Sequence, residues 1–408
     1  MIKWPVEKLE DHISVLTDYH ANGSYEVLKK NVELLDEPDY AVMIRTTNFE
    51  KEDFSGDLKY INQHAYDFLK KSRVYGGDIL MNKIANAGSV YLMPELSRPV
   101  SLAMNLFLIR ISSDQLDQSF AYYYLKTNEL YIKSFATGST TTTITKKAVR
   151  NLDIVLPPID VQRKIVDTIQ KYQTLIENNK RRIQLLEDSA RQLYKEWFVR
   201  FRFPGHEHVK IIDGVPEGWI NTTADQAMNI LSGGTPKTSV PDYWDGEIGF
   251  FTPKDATDTV YVSTTEKTIT ALGLEKCASN LYPKNTLFIT ARGTVGNLNL
   301  AQKPMAMNQS CYALVGIEPI SQFYLYFAMQ AGIQQVKSRA VGAVFDAIIK
   351  DTFRAIPFLT PPNALIDEFT DYVQPILAQI DILMVSTERL VQARDLLLPK
   401  LMSGEIAV

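Results

Sequence analysis

Two short stretches of this sequence carry residue types that could do metal chemistry. Pro38-Asp39, followed by Asp57-Leu58-Lys59, supplies two carboxylates and an ammonium group, a set able to hold Mg²⁺ and activate water as a nuclease does. His206-Glu207-His208 offers two imidazoles, a frequent metal-ligating pair. Neither is supported by its surroundings. The acidic set has no counterpart in the second half of the chain, and acidic loop residues are ordinarily just solvated. The histidines fall in a linker with no further ligands nearby, so no metal site is expected. Group-transfer machinery is missing as well. The Pro-Pro pairs are followed by Ile159 and Asn363, so no Asp/Asn-Pro-Pro-Tyr/Phe methyltransferase tetrapeptide occurs. Gly233-Gly234-Thr235-Pro236-Lys237-Thr238 has the wrong spacing for a phosphate-binding Gly-x4-Gly-Lys-Ser/Thr loop. The expectation is a chain without its own catalytic site.

What remains is polar, basic loop material suited to nucleic acid. Gly138 to Lys147 places Thr140, Thr142, Lys146 and Lys147 in one stretch, where hydroxyls and ammonium groups can meet phosphate oxygens and threonine methyls can meet thymine. An ordinary Thr-rich turn explains the same residues. Arg339 and Lys350 stand in the matching part of the second half. Thr252 and Lys254, Arg292 and Thr294, and Asn308-Gln309 are further candidates there. Arginine fits the two acceptors of guanine, and Asn or Gln fits adenine, although a buried amide serving the backbone is an equal reading of Asn308-Gln309. In the first half the candidates are Arg45, Thr46, Asn48, Lys83 and Asn86.

Bulk properties narrow the class without naming a partner. The 408 residues are 45% hydrophobic and 22% charged, an ordinary globular composition that excludes a disordered or fibrous chain. No apolar run reaches the roughly 18–20 residues of a membrane span, and Met1 to Glu7 does not read as a signal peptide. Two cysteines, Cys277 and Cys311, are too few for a disulfide scaffold or a cysteine zinc site. A soluble, cytoplasmic protein is expected, with no membrane partner. A formal charge of −4 gives no global reason to bind nucleic acid, so local clusters or partner subunits would have to supply the positive surface.

The elements that position these loops are duplicated. Sliding the chain on itself by half its 408 residues aligns Phe120–Pro158 with Tyr324–Pro362 without a gap. The ten identities are Tyr122/Tyr326, Lys133/Lys337, Ser134/Ser338, Ala136/Ala340, Gly138/Gly342, Ile144/Ile348, Lys146/Lys350, Arg150/Arg354, Pro157/Pro361 and Pro158/Pro362. Upstream the register drifts, with Gly88 opposite Gly296, Asn105 opposite Asn308 and Trp4 opposite Trp219. Strands are expected at 40–45, 79–83, 102–111 and 152–156, and again at 248–252, 286–290, 310–316 and 355–359, with short helices at 119–135 and 321–338.

A long helix follows each Pro-Pro pair, the first with Asp160 as N-cap. Ile165, Ile169, Tyr172, Ile176, Ile183, Leu186, Leu193 and Trp197, with Asn179 and Ala190 completing the series, recur at alternating spacings of four and three, as a coiled-coil seam requires. The copy presents Phe369, Val373, Ile376, Ile380, Leu383, Leu390, Leu397 and Leu401, with Pro375 expected to kink its early part. Two amphipathic helices in separate domains would show the same periodicity, but the matched lengths favour a shared seam. The fold class expected is α/β (α+β) in tandem duplicate, each copy followed by a long helix, the two helices forming an antiparallel coiled coil with pseudo-two-fold symmetry. The boundaries are 1–157 and 158–203, then 204–360 with a linker 204–218 leading into it, and 361–408.

Taken together, the sequence resembles the specificity subunits of type I restriction–modification systems. The resemblance rests on Leu156-Pro157-Pro158-Ile159-Asp160-Val161-Gln162-Arg163-Lys164-Ile165, on Leu193-Tyr194-Lys195-Glu196-Trp197-Phe198 and on Gly214-Val215-Pro216-Glu217-Gly218-Trp219. Ser232-Gly233-Gly234-Thr235-Pro236 and the terminal run Leu397 to Ile406 also fit. It implies two target-recognition domains, each reading half of a split double-stranded DNA site, and two helices that set the gap. It further implies methyltransferase subunits, two in number, and restriction subunits as partners. S-adenosylmethionine, ATP and Mg²⁺ would then belong to those partners, with no cofactor in this chain. A stand-alone nuclease using Asp39, Asp57 and Lys59, or a coiled-coil adaptor that does not bind DNA, are the alternatives. The first domain departs from the pattern, lacking a Gly-Gly-Thr-Pro equivalent.

Overall fold

The computed structural model of the chain describes residues 4–138, 140–339 and 347–408, with 337–339 by their backbone alone. It divides into two compact units, residues 1–174 with 390–408, and residues 175–389. Each unit therefore holds part of both long helices.

The first unit is built on two four-stranded sheets. One has the order 13–18, 106–111, 79–82, 90–92, and the other 60–61, 41–44, 100–102, 73–74. Strand Ala41–Ile44 runs parallel to Val100–Leu102, pairing Val42 with Val100. The remaining pairs are antiparallel. Ala41–Ile44 and Ile79–Asn82 are buried along their whole length. Covered on both faces, such strands read as continuous apolar runs rather than alternating ones.

The second unit repeats the plan. Strands 228–232, 311–316, 287–290 and 298–301 follow the order of the first sheet, with Tyr261–Val262 added at the edge. Trp244–Phe251 runs parallel to Met305–Met307, pairing Phe250 with Ala306. In both units a two-stranded ribbon leads into the long helix, Val6–Lys8 with Asp153–Val155 and Ile220–Thr223 with Pro357–Thr360. The helices at 118–127 and 322–339 open alike. The Gln118 amide accepts from Ile111 N and donates to Gly77 O, while Gln322 accepts from Gly316 N and donates to Asn285 O. The same side chain thus ties the same two strand ends in both halves.

The first long helix spans Ile159–Tyr194 and closes in a π-turn at Lys195–Val199. It begins one residue before Asp160, so Asp160 sits in the first turn, favourable to the helix dipole, and is not the cap. The organising residue is Gln162. Buried, it accepts from Asp117 N and donates to Gln115 O and Pro157 O. The second long helix, Asn363–Met402, is continuous through Pro375, the position of the expected kink. Pro375 is exposed, so its ring displaces no core contact.

The expected seam residues all lie on the covered sides of these helices. In the first unit Ile165 and Ile169 share a core with Leu397 and Leu401, and Arg394 donates to Gln173 Oε1 at 2.8 Å; Tyr172 and Leu390 are partly covered. In the second unit Ile183, Leu186, Leu193 and Trp197 pack in one core with Phe369, Val373, Ile376, Ile380 and Leu383. Trp197 lies 5.9 Å from the Phe369 ring, while Asn179 donates to Ser386 at 3.4 Å. Within each unit, then, the later residues of one helix segment meet the earlier residues of the other, an antiparallel pairing. Ile176 is also buried. Two tryptophans close the helix ends. Trp219 packs on Phe198, Phe201 and Phe203, and the Trp4 ring lies over Gly404, where a Cβ would come within 2.9 Å.

Candidate nucleic-acid interface

In both units the candidate loops converge on one edge, at the ends of the central strands. Backbone hydrogen bonds hold them together and recur from unit to unit. Lys83 N donates to Asn105 O at 2.7 Å and Ile144 N to Lys83 O at 3.0 Å; Ala291 N donates to Ser310 O and Ile348 N to Ala291 O, both at 2.8 Å. Ala103 N bonds Ile44 O, as Asn308 N bonds Phe251 O. Arg45 N is capped by Asn48 Oδ1 at 3.0 Å, as Thr252 N is by Asp255 Oδ2 at 2.8 Å. Gly88 N and Gly296 N bond Asn82 O and Thr290 O, and both glycines have positive φ. Ala85 at φ 69° and Gly293 at φ 79° take the same left-handed conformation. These bonds make Arg45 equivalent to Thr252, Ile84 to Arg292, and Met104 to Gln309. They pair Asn105 with Ser310, so the expected match of Asn105 with Asn308 is two residues out.

The first unit spends Lys83, Lys146 and Arg45 on its own carboxylates. Asp18, 8% exposed, accepts from Lys146 at 2.8 Å and from Lys83 at 3.1 Å. Burial opposes ionisation of Asp18, but the two ammonium groups outweigh it and hold its carboxyl below the usual range. Arg45 donates through Nη2 to the Asp57 carbonyl and carboxylate at 2.8 and 3.1 Å. Asn48 is buried; beyond capping Arg45, it donates to Asp53 O and Asp57 O. That leaves Asn48 no route to a base edge, and its expected role gives way to a structural one. Thr46 donates to Asn82 Oδ1 at 3.0 Å. Thr142 Oγ1 donates to Ala85 O, joining the Thr-rich stretch to the loop that carries Asn86. Asn86, Thr140 and Lys147 are exposed.

The second unit leaves more of its donors in solvent. A groove of about 450 Å³ is lined by Thr252, Lys254, Arg292, Asn308 and Gln309 together with Thr235, Trp244 and Lys267. Arg292 is exposed and has no ion pair among the described residues. Lys254, 80% exposed, is only 3.9 Å from Glu266. Lys350 is exposed. Gln309 accepts through Oε1 from Thr235 Oγ1. Thr252 Oγ1 donates to Asp255 at 2.7 Å, Thr294 Oγ1 to Pro253 O at 3.0 Å, and Asn308 Oδ1 accepts from Ser310 N, so these three shape the loops. The side chain of Arg339 lies outside the described residues.

Gly233 and Gly234 explain the Gly-Gly-Thr-Pro motif. A Cβ on Gly233 would stand 2.2 Å from Asn308 O, and one on Gly234 2.7 Å from Ala278 N. Only glycine lets this strand end press against the turn and deliver Thr235 to Gln309. Sequence reasoning missed Thr235, Trp244, Lys267 and Met104. Expecting one strand over 102–111 hid the turn at 103–105, which separates strands 100–102 and 106–111.

The acidic set is dispersed. Asp39 accepts from Tyr40 N, Asp57 holds Arg45 and Lys51, and Lys59 pairs with Asp36. Among the described residues no group of three His, Cys, Asp or Glu could hold a metal, His206 and His208 included. Nor is any helix among them long and apolar enough to cross a membrane.

With this duplicated edge in place, comparison with known proteins defines the class. The model of the type I restriction modification DNA specificity domain matches residues 8–188 and 216–382, one match in each half, and the chain belongs to that family. It is a DNA sequence-specificity subunit, not itself catalytic. The chain is 24% identical over 403 residues to the type I restriction enzyme HindI specificity subunit of Haemophilus influenzae, covering 82% of this chain and 88% of that one. It is 23% identical over 420 residues to the putative type I restriction enzyme MjaX specificity subunit of Methanocaldococcus jannaschii, covering 99% and 94%. The crystal structure of a type I restriction–modification S subunit from M. genitalium shares the fold, with TM-score 0.59, 17% identity, and 98% and 96% coverage.

Proposed function

We propose that each unit reads one half of a two-part double-stranded DNA site, and that the paired long helices fix the gap between the halves. The observation that carries this is the recurrence of one loop edge, bond for bond, in two units joined by two long helices. Each edge enters the major groove, where all four base pairs can be told apart. A helix of 36 residues is about 54 Å long at 1.5 Å per residue, a spacer on the scale of one and a half turns of duplex. With a net charge of −4, this chain works with partners that add phosphate contacts, since these dominate affinity. Those partners are two methyltransferase subunits docked on the helices, together with restriction subunits. S-adenosylmethionine belongs to the former, and ATP and Mg²⁺ to the latter. The domain limits 1–157, 158–203, 204–360 and 361–408 describe this division of labour, which takes place in the cytoplasm.

The test is methylome sequencing of cells carrying the chain and its methyltransferase, with and without this gene. A split motif that disappears on deletion is expected. Unchanged methylation would overturn the proposal.

A further inference from the structure

The tip of the turn that precedes the central strand carries opposite chemistry in the two units. Met104 stands there in the first, 50% exposed, and Gln309 in the second, also exposed. Their equivalence is set by the backbone bonds on either side, from Ala103 and Asn308 to the parallel strands and from Lys83 and Ala291 to Asn105 and Ser310. The neighbouring loop repeats the contrast, with Ile84 where the second unit has Arg292. At the tip of a polar loop edge, the exposed half of Met104 presents apolar surface to water that contributes nothing to the fold.

Gln309 is not a free amide. Thr235 donates its hydroxyl to Oε1, which restrains the amide of the exposed Gln309. A glutamine held in this way keeps both Nε2 hydrogens but only one of the two lone pairs on Oε1, so donation outweighs acceptance at this tip. Arg292 in the same groove is donor-only by nature. An edge in which donors outnumber acceptors matches the O6 and N7 of guanine, whereas an apolar tip matches the methyl of thymine.

Resting on the two-part reading above, we infer that Met104 and Gln309 are specificity-determining residues of the two half-sites, Met104 against a thymine methyl and Gln309, set by Thr235, against a guanine acceptor edge. Thr235 is then a positioning residue.

The experiment is methylome sequencing of cells in which the chain, with its partner subunits, is wild type, Met104→Gln, Gln309→Met or Thr235→Val. In the wild type a split motif is expected, with a required guanine in one half and a required thymine in the other. Gln309→Met should relax the guanine by roughly five-fold or more and leave the other half and the gap unchanged. Thr235→Val, which keeps the shape but not the hydroxyl, should relax the same base pair. Met104→Gln should relax only the thymine. A uniform loss of methylation, or an unaltered motif, in Gln309→Met and Met104→Gln would overturn this inference while leaving the two-part reading intact. Absence of a split motif in the wild type would overturn the two-part reading itself.

Discussion

The two units share a backbone edge and differ in what they do with charge. In the first, Asp18 gathers Lys83 and Lys146 and Asp57 holds Arg45. At the position of Asp18 the second unit has Ser232, since Asp18 pairs with Phe107 where Ser232 pairs with Tyr312. The position of Lys83 is taken by Ala291. Lys350, the counterpart of Lys146, is left in solvent along with Arg292 and Lys254. One scaffold therefore presents an edge on which Lys83, Lys146 and Arg45 are paired with carboxylates and an edge that leaves Arg292, Lys254 and Lys350 in solvent. Backbone bonds keep the loops in place while side chains are free to diverge, so the fold can be kept and the target changed.

The largest effect expected from breaking this contrast is at Asp18. Asp18→Asn leaves two ammonium groups facing an amide that can satisfy only one of them. It should cost about 2 kcal/mol, less than a fully buried pair because Lys146 is 33% exposed. Ser232→Asn should change stability by less than about 0.5 kcal/mol. Because the Asp18 carboxyl is lowered from 3.8, its contribution is complete above that value and is lost as pH falls below it. Denaturant melts of wild type and Asp18→Asn should thus converge in acid and diverge at neutral pH.

Arg292→Ala should relax discrimination in one half-site by about ten-fold, read from methylation of single-mismatch sites. An equal loss at all sites would mark it as a phosphate contact. Buried charge sharpens the comparison from the other side. Glu187, in the second unit, has one backbone partner, Val260 N at 2.7 Å. Burial raises its carboxyl above the usual value, more than the Val260 N–H and nearby Arg191 lower it. Glu187→Gln retains an acceptor and removes the charge, and should raise stability by about 1 kcal/mol at pH 7. With a folded value above 4.5, that gain should fade as pH falls through the raised folded value and be gone below 4.5. The smallest effect is at Lys254. Its replacement by alanine should lower the salt dependence of DNA binding by about one unit of slope, whereas Lys83→Ala should leave the slope nearly unchanged.

The repeat was legible from Phe120 onward because that stretch keeps its residue types: Gly138, Ile144, Arg150 and the Pro-Pro pair recur in register. Gln118 and Gln322, identical and tied to the same two strand ends, lie just outside that block. The loop edge was legible only as a set of polar stretches. Its equivalences are carried by carbonyls such as Lys83 O and Ala291 O, which leave no trace in side-chain identity. Whether a lysine is open or neutralised depends on partners far away in sequence, as Asp18 is from Lys146. For the same reason Asn48 looked like a reader and is a cap. The seam periodicity was clear because a spacing of four and three over several heptads is set by helix geometry itself.

If the helices measure the distance between two independently read half-sites, their length sets the gap. Matched insertions in the first helix, within Arg163–Trp197, and at the facing positions of the second, followed by methylome sequencing, test it. The same two half-site sequences separated by a longer gap are expected. The original gap with methylation merely reduced would contradict the account.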